Sequence, residues 1–68
     1  MESSKEIIGK LIKYNRQLKN ITPQQLATML GVDRQYIWRM ENGKINITLN
    51  YLDKIILNLN CKHDDFLR

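Results

Sequence analysis

Two short helical stretches, "TPQQLATML" and "RQYIWRME", joined through "GVD", constrain this 68-residue chain more than any other feature. Helices this short are marginal on their own in water, so the pair can persist only by packing against each other and against further helices. Thr22 suits the cap of the first, and Pro23 its first position, where a missing N–H costs nothing. Leu26, Ala27, Met29 and Leu30 give that helix an apolar face up to Gly31, a residue free to take the backbone conformation of a tight turn. Asp33 is placed to cap the second helix, which sends Ile37 and Met40 inward and stops at "NG". Ala27, being small, lets the two helices approach.

The flanking sequence supplies the partners. Ser3 and Glu6 fit a capping box opening a helix from about Ser4 to Lys19, with Ile7, Ile8, Leu11, Ile12 and Leu18 at helical spacing. Thr48 caps a fourth helix whose buried stripe is read as Leu49, Leu52, Ile55, Ile56 and Leu59, and "CKHDDFLR" forms one last short helix presenting Phe66 and Leu67. "INITLNYL" alternates as a strand would, but no partner strand of matching pattern exists, so the fold class is all-α. Residues 1–68 read as one small domain around the helix pair at 22–43.

Composition narrows the function. A single cysteine, Cys61, cannot form an intramolecular disulfide, which points to a reducing, cytoplasmic setting. No apolar run reaches membrane-spanning length, and "MESSKEIIGK" carries an early acidic residue and no signal-peptide stretch. Cys61 and His63 stand two positions apart with no further ligands, which is neither a catalytic nor a zinc pattern; Asp64 and Asp65 most simply charge the start of the last helix. No enzyme activity, metal, cofactor or small-molecule ligand is expected. Eleven Lys and Arg against seven Asp and Glu give a net charge of +4, which favours a polyanion as partner if one face collects the charge.

Two helices joined by a short glycine-containing turn are the signature of a helix-turn-helix, whose second helix can enter the DNA major groove. "ITPQQLATMLGVDRQYIWRMENGK", followed by "TLNYLDKIILNL", resembles the lambda-repressor-like (Cro/C1, XRE-type) helix-turn-helix family, which includes phage repressors, Cro proteins and restriction-modification controller proteins. The likeness runs from about Ile8 to Leu59, and its "LA...LGV...YI...ENGK" pattern is fairly specific. It implies a compact five-helix bundle that binds double-stranded operator DNA, usually as a homodimer. The short chain and the "DRQYI" helix start lean toward an autonomous controller; an antitoxin or adaptor using the same fold is the rival reading.

The family's base-reading positions are matched here by Arg34, Gln35 and Arg39. Arginine can bond both O6 and N7 of guanine, and glutamine both N6 and N7 of adenine. Arg39 and Gln35 are assigned to bases, and Arg34 to a base or a phosphate. Thr22, Gln24, Tyr36, Trp38, Lys44 and Asn46 are candidates for the DNA backbone or accessory contacts. Where the family often has a phosphate-anchoring glutamine this chain has Pro23, leaving Gln24, about 100° further round the helix, as the nearest substitute. Trp38 either faces DNA or folds back over the neighbouring helix to extend the core, the second being preferred. The resemblance also implies a structural ion pair between Arg16 and Glu41. Tyr51, Leu57, Phe66 and Leu67 are left over from the core stripe and suggest a dimer interface that sets two recognition helices about 34 Å apart on a palindromic operator.

Overall fold

The computed structural model describes residues 1–68 as α1 (Ser4–Leu18), α2 (Pro23–Leu30), α3 (Arg34–Glu41), α4 (Leu49–Asn58) and α5 (His63–Phe66), with no strand. Four of the five starts are fixed by a side chain satisfying an otherwise orphaned backbone N–H. Ser3 accepts from Glu6 N, Thr22 from Gln25 N, Asp33 from Tyr36 N and Thr48 from Tyr51 N. The first two are full capping boxes, since Glu6 and Gln25 reach back to the backbone N–H of Ser3 and Thr22. The Ser3 backbone N–H, and then its hydroxyl, hold the Glu6 carboxyl below its ordinary value. That contribution to the start of α1 is present above the unfolded carboxylate pKa and disappears as pH falls through the lower folded one. The α2–α3 turn works as its glycine requires: Gly31 sits at φ 73°, and Val32 N donates to Ala27 O at 2.9 Å.

The core joins all five helices. Ile12, Leu26, Ala27, Ile37, Met40, Ile55 and Phe66 are wholly buried, with Leu30, Leu52, Ile56 and Leu59 beside them. Phe66 corrects the sequence reading: it is 0% exposed, a core residue and no part of a surface patch. What holds it there lies far away in sequence. The Asn15 amide, on α1, donates to Leu11 O at 2.8 Å and to Phe66 O at 3.1 Å, so α1 anchors the end of α5. α5 has no side-chain cap of its own, and His63 adds an exposed pairing to Asp53 at 2.8 Å.

The edges of two expected stripes also shift. Leu49 stands exposed in the first turn of α4, about 70° off the centre of the Leu52, Ile55, Ile56, Leu59 face. Ile7 and Leu18 of α1 are likewise exposed, while that helix buries Ile12 from the expected stripe together with Gly9, Asn15 and Arg16.

Gly9 explains how closely α1 meets α3. A Cβ built there would lie 2.4 Å from Met40 O and 2.8 Å from Glu41 O, so the contact admits backbone against backbone and nothing larger. Gly9→Ala should therefore push α1 from the C-terminal end of α3. We expect a loss of about 1–3 kcal/mol, the usual cost of overpacking, read as a lower urea midpoint with an unchanged m-value.

Candidate nucleic-acid interface

α3 is an eight-residue helix with two unlike sides. Ile37 and Met40 are buried, Tyr36 is half-buried, and Arg34, Gln35, Trp38 and Arg39 are exposed. At about 100° per residue the four exposed positions fall within a sector of roughly 140°, with Trp38 between Arg34 and Gln35. The indole is 57% exposed, so it does not fold back over the neighbouring helix as the sequence reading preferred. With Ile37 and Met40 filling the inward side, position 38 has no route to the core. The charges on this side are uncommitted: neither Arg34 nor Arg39 enters an ion pair.

The back of α3 is clamped. The Arg16 guanidinium meets Glu41 through two parallel bonds, Nε to Oε2 at 2.7 Å and Nη2 to Oε1 at 3.1 Å, and sends Nη1 to Ile21 O at 2.9 Å. Both side chains are nearly enclosed, at 8% and 7% exposure. One buried fork thus ties α1, the α1–α2 turn and the last residue of α3. Planar two-point pairing fixes orientation as well as distance.

After α3 the chain turns at Gly43, buried at φ 67° against the start of α1, where a Cβ would lie 2.8 Å from Glu6 Cγ. Lys44 N closes the helix on Arg39 O at 2.9 Å, which leaves the Lys44 side chain exposed and unpaired at the C-terminal end of the α3 face. Asn46 is exposed a little further on. It shares a hollow of about 230 Å³ with Tyr36, Ile47, Thr48 and Tyr51. Tyr36 and Tyr51 meet edge to face, centroids 6.3 Å apart at 89°. The Tyr51 hydroxyl is buried without a hydrogen-bond partner, and burial, followed by the neighbouring Tyr36, pushes its phenol above the ordinary tyrosine value. Tyr51 is accordingly half-buried against α3 instead of standing free for a second copy.

Thr22 is engaged in its capping box, and Gln24 is exposed with its amide 3.4 Å from Thr28 Oγ1; both border a shallow hollow beside the start of α2. Leu57 and Leu67 are exposed on α4 and just after α5. Sequence reasoning overlooked Asn15 and the Gln25 half of the α2 capping box. The second had a signal in the T-x-x-Q spacing; the first had none, because its partner lies 51 residues away. No three His, Cys, Asp or Glu side chains come together as a metal site would require, and no helix is long and apolar enough to cross a membrane.

The Arg16–Glu41 fork makes a stability prediction. Arg16→Ala or Glu41→Ala alone should cost about 3–5 kcal/mol by leaving one charge buried and unpaired, and the double variant should lose less than the sum. A double-mutant cycle in urea denaturation measures this; additivity of the two losses would mean that the groups do not act as a pair.

Comparison with known proteins places this geometry. A family model described as helix-turn-helix matches residues 12–66. An uncharacterised HTH-type transcriptional regulator of Methanocaldococcus jannaschii is 41% identical over 54 residues, covering 79% of this chain and 82% of that protein. The control protein C.SmaI of Serratia marcescens is 35% identical over 48 residues, 71% of this chain and 57% of its own length. Among solved structures, the restriction-modification controller protein C.Esp1396I, as a tetramer in complex with its natural 35 base-pair operator, superposes with a TM-score of 0.82 at 30% identity, covering 96% of this chain and 87% of that one.

Proposed function

Because the chain belongs to the helix-turn-helix family of transcriptional regulators, which are DNA-binding proteins and not enzymes, we propose that it binds a palindromic operator as a homodimer, with α3 in the major groove. The observation that carries this reading is the outer side of α3. Arg34, Gln35, Trp38 and Arg39 form one exposed sector, free of ion pairs, on a helix held from behind by buried contacts. Free guanidinium and amide groups on a rigid element suit base recognition, because little ordering is needed when DNA arrives.

In this reading Gln35 and Arg39 face base edges, and Arg34, at the first position of α3, reaches a base or a phosphate. Trp38 packs its ring on the sugar-phosphate backbone or on a thymine methyl group. Lys44 follows the backbone beyond the C-terminal end of α3, Asn46 and Tyr36 meet it together from the hollow they share, and Thr22 and Gln24 meet it at the start of α2, where the helix dipole and the Gln24 N–H, left free by Pro23 and the capping box, attract phosphate. Pairing falls to Leu57 and Leu67, the exposed members of the expected interface. The likeness to C.Esp1396I, an operator-bound controller protein, supports the reading, and a cytoplasmic location is part of the proposal.

Binding to DNA from the protein's own upstream region, compared with random duplex of equal length across a salt series, tests the function. A preference of about a thousandfold, with affinity falling steeply in salt, is expected; equal weak binding to both would leave only generic basic attraction. Two substitutions then separate roles. Arg39→Ala should cost about 1–3 kcal/mol and relax preference at one operator position, whereas Lys44→Ala should weaken binding to every sequence and reduce the salt slope by about one. Leu57→Asp should shift sedimentation toward monomer and weaken operator binding, and an unchanged oligomer would move the interface elsewhere.

A further inference from the structure

The exposed apolar residues of α1 have no place in the DNA-binding reading. Ile7, Leu11, Tyr14 and Leu18 follow one another at helical spacing of four, three and four residues; Leu11 is half-buried, while Tyr14 and Leu18 are 57% and 60% exposed. Around the helix they stand about 140–200° from Gly9, the residue that presses on α3. The stripe therefore faces away from the recognition helix. Two adjoining hollows, of about 290 and 450 Å³, run along it and share Tyr14 and Arg68.

The rim of this groove is basic. Lys10, Lys19, Lys62 and Arg68 border it, against Glu2 and Asp65. Lys10 pairs with Glu2 and Lys19 donates to Asn60 O, while Lys62 and Arg68 form no ion pair. An apolar floor at i, i+4, i+7 and i+11 with a cationic rim is the complement of an amphipathic helix carrying carboxylates beside its apolar face. A second copy of this chain would bring the same positive rim against its own, which Coulomb repulsion opposes.

We infer that the α1 groove is a docking site for an acidic amphipathic helix of another protein, a site separate from the α3 face, so that partner and DNA are held together. This does not rest on the DNA reading, since peptide binding is measured without DNA.

The probe is a synthetic peptide of about 15 residues, enough for four helical turns alongside α1, with leucines on one face and glutamates flanking them. A control peptide carries lysine at every glutamate. Binding to the intact protein is followed by fluorescence anisotropy and mapped by amide NMR shifts. The acidic peptide should bind at least tenfold more tightly than the lysine peptide and shift residues along α1 and Lys62–Arg68. Leu18→Asp and Arg68→Glu, both at exposed positions, should each weaken it at least tenfold with an unchanged circular dichroism spectrum and an unchanged preference for operator over random duplex. Equal affinity for both peptides, shifts confined to α3, or full binding by Leu18→Asp would overturn the proposal. So would conversion of an oligomer to monomer by Leu18→Asp, which would assign the stripe to a second copy.

Discussion

The two-point bond between Arg16 and Glu41 is the contact on which the rest of the molecule depends. Three segments, α1, the turn before α2 and the end of α3, converge on one guanidinium, which also satisfies the Ile21 carbonyl in that turn. A short helix such as α3 gains little from its own backbone bonds, and its orientation is set by what grips its ends. Asp33 holds one end and Glu41 the other. Burial makes the grip costly to break, because either charge left alone would sit in a poorly solvated place. The outer residues of α3 can consequently remain polar and solvent-exposed without loosening the helix that carries them.

Most of the frame was legible because it is written locally. Caps at Ser3, Thr22, Asp33 and Thr48, a glycine at Gly31 and the "NG" after α3 each act within a few residues, and each starts or stops an element where the sequence indicates. Burial was less legible, since it depends on what another part of the chain covers. Phe66 looked unprotected because nothing near it in sequence could shield it, yet Asn15 draws the end of α5 onto α1. Leu49 looked like core by spacing, yet it falls at the margin of its stripe and at the very end of its helix. Apolar periodicity also passes over buried polar residues, so Asn15 and Arg16 had no place in the α1 pattern.

Much the same division applies to the candidate interface. Arg34, Gln35 and Arg39 were recognisable from their residue types and their place after the turn, and the structure leaves all three exposed on one side of α3. Trp38 was the residue sequence could not place, because an aromatic ring in a small protein has two stable options and only the surrounding packing chooses. Here the inward side of α3 is already filled by Ile37 and Met40. The ring is left in water between two polar neighbours, where its area becomes available to whatever covers that side.

The exposed indole is also the only one in the chain. Tryptophan emission responds to water around the ring, and here that water is present while the protein is folded. Unfolding changes the surroundings of Trp38 less than it would those of a buried indole, so its fluorescence is a poor gauge of the core. Covering the outer side of α3 strips the ring of solvent, and the same emission then becomes an optical label for occupancy, built into the chain and separate from the circular dichroism that follows the helices.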